Sequence, residues 1–139
     1  MPDIQLTDHD LPLIDEVVAL YESVGWARYT ADPALLYDAL NRSLRVVCAR
    51  EDGALVGLAR VVGDGLTIVY LQDILVAPGH QRRGVGARLL GAVLEPFDSV
   101  RQEGLITDDE PAQRAFYEAM GFTEIRDLDA PIRAFVTLT

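Results

Sequence analysis

From residue 45 to residue 76 three β-prone runs follow one another with almost nothing between them. "RVVCAR" is joined by "EDG" to "ALVGLARVV", and "GDG" joins that run to "LTIVYLQDILV". Asp-Gly is a strong hairpin signal, because both residues tolerate the left-handed backbone that a tight turn between twisted strands requires. Two such turns in succession dictate an antiparallel meander, and every other element has to be arranged around it.

Two helices precede the meander. Residues 11–24 carry apolar side chains at Leu13, Ile14, Val17, Val18, Leu20, Tyr21 and Val24, a helical stripe with Asp8 or Asp10 as its cap and Gly25 as its end. After the loop "GWARYTAD", Asp32 caps a second helix with Pro33 in its first turn and Leu35, Leu36, Ala39 and Leu40 on its buried side. Beyond the meander, Val85, Leu89, Val93 and Phe97 recur at helical spacing, so a glycine-rich loop opens a helix directly after a strand. "GLIT" then reads as a short buried strand, and "DDEPAQRAFYEAMG" as a helix with Pro111 in its first turn, Gly121 at its end and an apolar face of Ala112, Ala115, Phe116, Ala119 and Met120. "FTEIRDL" and "IRAFVTL" read as a closing pair of strands. The sum is one α/β domain over residues 1–139, built on a mixed, mostly antiparallel sheet flanked by about four helices.

Charge narrows what such a domain can meet. The formal net charge is −10 and every basic residue other than histidine is an arginine. This acidity argues against nucleic acid, where a basic surface supplies most of the affinity. It is compatible with a cationic substrate, and equally with solubility alone. No apolar run approaches the ~20 residues that cross a bilayer, so neither a membrane span nor a secretory leader is expected. Cys48 is the only cysteine, lies in an alternating apolar run and has no His/Asn pattern beside it; it reads as a core thiol in a reducing, cytoplasmic setting. His9 and His80 stand apart with no second ligand at metal spacing, so no metal site is expected.

Against that acidity, "GHQRRGVGARLL" (residues 79–90) holds Arg82, Arg83 and Arg88 with no acidic residue before Leu94. A strand, a short glycine loop and a helix start together make an anion site, since unpaired N–H groups and the helix dipole both favour negative charge. Gly84 and Gly86 remove side chains that would keep a phosphate from the backbone. A Walker loop needs a lysine and is excluded in that form. A dinucleotide fingerprint needs a third glycine where Leu89 stands and a βαβ unit that the meander does not supply. The pattern [Q/R]-x-x-G-x-[G/A] is met in full by Gln81-Arg82-Arg83-Gly84-Val85-Gly86.

With "LVAP" before that hexapeptide and "AFYEAMGF" about thirty residues after it, the chain from residue 45 onward resembles the GNAT N-acetyltransferase superfamily. The resemblance implies that Gln81, Arg82, Arg83, Gly84, Val85, Gly86, Ala87 and Arg88 grip the pyrophosphate of acetyl-CoA. It also implies that the sheet splays between the fourth and fifth strands of the fold, after Val76, so that backbone groups near Leu75 and Val76 bind the pantetheine arm and polarise the thioester. Many members carry an Asn near the start of the later helix; here Glu110 and Pro111 stand there, and Asp108, Asp109 and Glu110 read as capping residues. Tyr117 occupies the family's tyrosine position as general acid toward the cofactor sulfur, the alternative being an aromatic that simply packs.

Asp73, the single carboxylate of the central strand, is the candidate base, or else an acid held by hydrogen bonds. Alternation puts Tyr70 and Gln72 on the face opposite Asp73 unless a bulge changes the register. Trp26, Tyr29 and Tyr70 are the candidate substrate residues; Trp26 fills the gap between two helices in the alternative reading. "GWARYT" followed by "VVGDGLTIVYLQDILV" is also similar to a subgroup containing plant and cyanobacterial arylalkylamine acetyltransferases. The expected reaction is direct acetyl transfer from acetyl-CoA to a small primary amine, aromatic amines included, with no metal. A peptide or protein acceptor and a non-catalytic acyl-CoA sensor are the alternatives, and the closing strands offer an edge for a homodimer.

Overall fold

The meander is longer by one strand than the pattern indicated. β1 (Ile4–Thr7) pairs antiparallel with β2 (Arg45–Glu51), which pairs with β3 (Ala54–Gly63), which pairs with β4 (Ile68–Val76). A four-residue edge strand offers too little alternation to be read as one. The computed structural model of the chain describes residues 3–9 and 11–139 and divides into two compact units, one ending at Ile106 and the other Thr107–Thr139.

Both Asp-Gly turns form. Asp52 and Gly53 have φ of +50° and +82°, closing a two-residue turn between β2 and β3. At the second turn Asp64 does the holding: its carboxylate accepts from the amides of Leu66, Thr67 and Ile68 at 2.8, 2.8 and 3.0 Å and from the Thr67 hydroxyl at 2.7 Å. These donors favour the charged form and hold the Asp64 carboxyl far below the usual carboxylate range.

α1 (Ile14–Ser23) starts at Leu13, whose amide donates to Glu16 Oε1 at 3.0 Å. Of the two expected aspartate caps, Asp8 accepts instead from Arg45 Nη1 at 2.7 Å, and Asp10 lies outside the described residues. Inside the stretch expected as a loop, residues Ala27–Thr30 form a single turn, α2. α3 (Pro33–Asn41) is capped as expected by Asp32, which accepts from the Leu35 amide at 3.1 Å; Leu36 and Leu40 are buried, whereas Leu35 is exposed. α1 and α3 cover one face of the sheet, where Val17, Leu20, Tyr21, Leu36 and Leu40 pack with Cys48, Leu58 and Leu75. Cys48 pairs across to Leu58, and Leu58 to Leu75, so one apolar row crosses three strands. Burial raises the Cys48 thiol to about 11, which leaves it unreactive at neutral pH.

The opposite face carries α4 (Val85–Leu94), which buries Val85, Leu89, Leu90 and Val93. Gly57 makes this approach possible, because a Cβ there would stand 2.9 Å from Leu89 Cδ1 and 3.3 Å from the Leu75 carbonyl oxygen. After α4 the chain returns in β5 (Gln102–Leu105), parallel to β4, giving a sheet in the order β1-β2-β3-β4-β5. Pairing between β4 and β5 runs only over Ile68–Leu71; residues 72–76 have no strand on that side, which is the expected splay.

The second unit contains α5 (Pro111–Ala119), with Pro111 first and Gly121 at φ +94° past its end. Its expected apolar face is not the buried one: Ala112, Ala115 and Ala119 are exposed and Tyr117 is buried. The closing strands do not form. Arg114 binds Glu118 at 3.2 Å, Asp127 at 2.6 Å and also Glu124. Glu124 and Asp127 are three residues apart, so a strand would send them to opposite faces; the turn Ile125–Asp127 brings both to one guanidinium. Residues 128–139 pair with no strand, and Phe135 is 88% exposed, so these segments provide no strand edge for a dimer. Among the described residues no helix is long and apolar enough to cross a membrane.

Gly57→Val forces Leu89 and the β4 backbone apart and is expected to cost about 1–3 kcal/mol in urea unfolding, with wild-type-like stability contradicting the close approach of α4. Asp64→Ala is expected to lower the melting temperature by a few degrees. Because folding depresses the Asp64 pKa, its contribution is complete above the unfolded value of about 3.9 and disappears as pH falls below it. The gap between wild type and variant should therefore be open at pH 7 and closing below about pH 4.

Candidate active site

A bulge in β4 builds one half of the candidate site. Arg60 pairs with Asp73 across β3 and β4, but the next residue, Val61, pairs with Leu71, so Gln72 is the extra residue of β4. Cross-strand partners share a face, and Arg60 and Val62 are two apart on β3. Their partners Asp73 and Tyr70 therefore lie on one face, which strict alternation forbids and the bulge permits.

Asp73 is 3% exposed and makes three hydrogen bonds. Its Oδ2 accepts from Arg60 Nε at 2.6 Å and from Tyr21 Oη at 2.9 Å, and its Oδ1 accepts from Tyr29 Oη at 2.7 Å. Arg60 is 6% exposed and reaches Ser43 Oγ at 3.3 Å. Burial first, then the neighbouring Asp73 charge, pushes the Tyr21 phenol far above its ordinary value; burial and the bond to Asp73 raise that of Tyr29. Gln72 Nε2 donates to Tyr29 Oη at 3.0 Å, so successive β4 residues meet on one phenol oxygen.

Trp26 and Tyr29 are brought together with Tyr21. Ring centroids lie 5.8 Å apart for Tyr21 and Trp26, 5.2 Å for Tyr21 and Tyr29 and 6.1 Å for Trp26 and Tyr29. The two contacts with Tyr21 are edge-on, the arrangement that ring quadrupoles favour, so these rings pack on one another rather than standing open as a stacking pair. Tyr21 and Arg60 escaped the sequence reading. Arg60 was visible as a lone charge in an apolar strand, one hairpin away from the lone carboxylate Asp73, and that opposition was the available signal.

The loop after β4 makes the other half. Past the turn Pro78–His80, Gln81 Nε2 donates to the Val76 carbonyl at 3.0 Å. Arg82 and Gly84 have φ of +63° and +76°, and Gly84 caps α4 with no side-chain bond. The first intrahelical bond is Arg88 N–H to the Gly84 carbonyl at 3.2 Å, so among the described residues the amides of Val85, Gly86 and Ala87 have no backbone acceptor. A Cβ on Gly84 would meet nothing within 4 Å, which leaves open space above the cradle.

The three arginines divide in role. Arg83 binds Glu51 at 2.7 Å, and Arg88 donates to the Ile4 carbonyl at 3.1 Å. Glu51 also receives His80 Nε2 at 3.3 Å, and the Arg83 hydrogen bond holds the Glu51 carboxyl below its usual range. Arg82 is exposed and has no side-chain partner among the described residues.

In the second unit the Tyr117 ring packs edge-on between Phe116, 5.0 Å away, and Phe122, 6.0 Å away. Its hydroxyl has no hydrogen-bond partner among the described residues. Burial raises its pKa, so the phenol keeps its proton at neutral pH. Glu110 stands at the cap of α5 without a side-chain cap bond.

Comparisons with known proteins agree with this geometry. Residues 42–124 match the family model described as an acetyltransferase (GNAT) domain, a match that runs across the boundary between the two units. A solved GNAT family acetyltransferase from Streptococcus pneumoniae is 32% identical, with a TM-score of 0.83 over 97% of this chain and 98% of its own. Mycothiol acetyltransferase from Kineococcus radiotolerans is 32% identical over 120 residues, 82% of this chain and 40% of its own length. An uncharacterised ycf52-like N-acetyltransferase from Prochlorococcus marinus is 29% identical over 112 residues, 78% of this chain and 61% of its own. The chain thus spans less than two thirds of these two curated relatives. A family model over residues 42–124 and relatives 32% identical over most of the chain agree with the opened sheet and the glycine start of α4: this chain belongs to the GNAT acetyltransferase family.

Proposed function

We propose that the chain is one N-acetyltransferase domain that moves an acetyl group from acetyl-CoA directly to a small primary amine, in the cytoplasm. One continuous stretch of the first unit carries the reading. The unpaired edge of β4 over residues 72–76 leads through a single turn into the free amides of Val85, Gly86 and Ala87, beside the free charge of Arg82. An extended arm ending in a pyrophosphate has matching chemistry: backbone groups for an amide-bearing chain, then donors and positive charge for the phosphates.

In this reading Arg83 and Arg88 shape the cradle through Glu51 and β1, and Gln81 holds its entry through the Val76 carbonyl. Backbone donors near Leu75 and Val76 polarise the thioester carbonyl as the amine attacks. The carbon–nitrogen bond forms and the carbon–sulfur bond breaks; Tyr117 gives its proton to the departing sulfur, and the proton shed by the amine nitrogen passes through water to restore the phenol. Trp26, Tyr29, Tyr70 and Asp73 form the acceptor side. Asp73, buried under three hydrogen bonds, acts on the amine through the groups bound to it.

Calorimetric titration with CoA should show binding that Arg82→Ala weakens roughly tenfold, the scale of a lost charge-assisted hydrogen bond, without a change in melting temperature. Unchanged affinity would remove Arg82 from the anion site. Tyr117→Phe is expected to lower kcat about 100-fold or more while changing the acetyl-CoA KM little. An unchanged kcat would show that Tyr117 only packs.

A further inference from the structure

Three glycines lie in strands among the described residues, and the backbone accounts for two of them. Gly57 stands under Leu89, where a Cβ would come within 2.9 Å of Cδ1, and Gly63 ends β3 with φ at +134°, a value that side chains rarely adopt. Gly104 in β5 has neither reason. It is outside the left-handed region, and a Cβ built on it would meet nothing within 4 Å. A glycine in a strand forgoes packing and adds chain freedom, so one that neither conformation nor close approach requires marks a space kept open beside the backbone.

The register says what that space adjoins. Gly104 pairs with Tyr70 across β4 and β5, and Tyr70 pairs with Val62 across β3 and β4, so the three form one row on the face that carries Asp73. Tyr70 is half-buried, with Val62 on one side of it in the row and no side chain on the other. Its ring takes no part in the packing of Tyr21, Trp26 and Tyr29, and its hydroxyl has no hydrogen-bond partner among the described residues. Ile68, two positions back on the same face, is 38% exposed. Neighbouring strands are about 5 Å apart, which falls inside the range of about 4.5–7 Å between the centroids of packed aromatic rings. A ring in the place of the missing side chain therefore lies in contact with Tyr70. The row stops two residues short of Gln72, where the open edge of β4 begins, about 7 Å along the strand.

We propose that Gly104 is a specificity-determining residue: the space it leaves seats a flat apolar ring of the acceptor against Tyr70, and any side chain at position 104 narrows that seat. Val62, Ile68, Tyr70 and Gly104 carry no charge, so the seat takes the body of the acceptor, and the amine extends along β4 toward residue 72. The candidate aromatics thereby divide: Trp26 and Tyr29 pack on Tyr21, and Tyr70 meets the ligand. The inference rests on the transferase reading above and adds to it where the acceptor's body sits and which residue limits its size.

The test uses the full chain in a thiol-release assay with acetyl-CoA and 2-phenylethylamine, ethylamine or spermidine. Wild type should turn over 2-phenylethylamine with a kcat/KM about tenfold or more above that for ethylamine, the scale of a filled apolar pocket. Gly104→Val should melt no lower than wild type, because a Cβ has room and valine suits a strand. It should lower the ratio of the two kcat/KM values about tenfold while the acetyl-CoA KM stays within about twofold. Gly104→Ala should give an intermediate ratio, and it carries the test alone if the valine variant does not fold. A ratio that does not move in the folded variants overturns the seat. So does an acetyl-CoA KM that rises in step with the falling ratio, because the space would then belong to the cofactor, and so does a wild type that acetylates ethylamine or spermidine as well as 2-phenylethylamine. The transferase reading survives all three. A wild-type chain that releases no thiol with any of these amines overturns the transferase reading and this inference with it.

Discussion

A buried ion pair organises the first unit around its central strands. Arg60 and Asp73 lie on adjacent strands, 6% and 3% exposed and 2.6 Å apart, among buried strand residues that are otherwise apolar. Two charges taken out of water are tolerated only when their remaining hydrogen-bonding capacity is met, and removing one partner of such a pair typically costs about 3–5 kcal/mol. Here the requirement recruits the surroundings. Tyr21 comes from α1, Tyr29 from the short turn that follows, and Ser43 from the end of α3. The pair thus ties both early helices to the central strands at one point, and it explains why a residue on α1 can matter to a site on β4.

The bulge at Gln72 belongs to the same arrangement. Without it Tyr70 would lie on the face opposite Asp73, and Gln72 would not share a phenol oxygen with Asp73. It also lies where β5 leaves β4, immediately after the last paired residue, Leu71. The strand therefore changes its side-chain register and opens its free edge within a span of two residues. Loop and edge follow in sequence from there, so one strand carries the buried carboxylate, the open backbone edge and the entry to the loop before α4 in chain order.

What could be read from the sequence follows from how local each signal is. The turns at Asp52-Gly53 and Asp64-Gly65, the cap at Asp32 and the glycine start of α4 depend on neighbouring residues, and all are found. Asp73 was legible because a lone carboxylate in an apolar strand demands a partner. Its partners were not, because Tyr21 looked like one more residue of an apolar stripe, and a bulge leaves no mark in composition. The division among Arg82, Arg83 and Arg88 was hidden for the same reason: Glu51 and Ile4 are remote in sequence. "FTEIRDL" misled because Phe122, Ile125 and Leu128 recur every third residue, a spacing that suits the turn found there, in which Glu124 and Asp127 both reach Arg114.

The central claim is that an acyl-CoA lies along the open edge of β4 with its pyrophosphate on the first turn of α4. Residue-resolved amide exchange and chemical shifts, recorded with and without saturating CoA, test it most directly. The account predicts slowed exchange and shifted resonances at Val85, Gly86 and Ala87 and at the outward amides of residues 72–76, with the buried Tyr21, Asp73 and Arg60 network unmoved. Saturation that leaves those amides unchanged, or that perturbs a different face of the sheet, would contradict it.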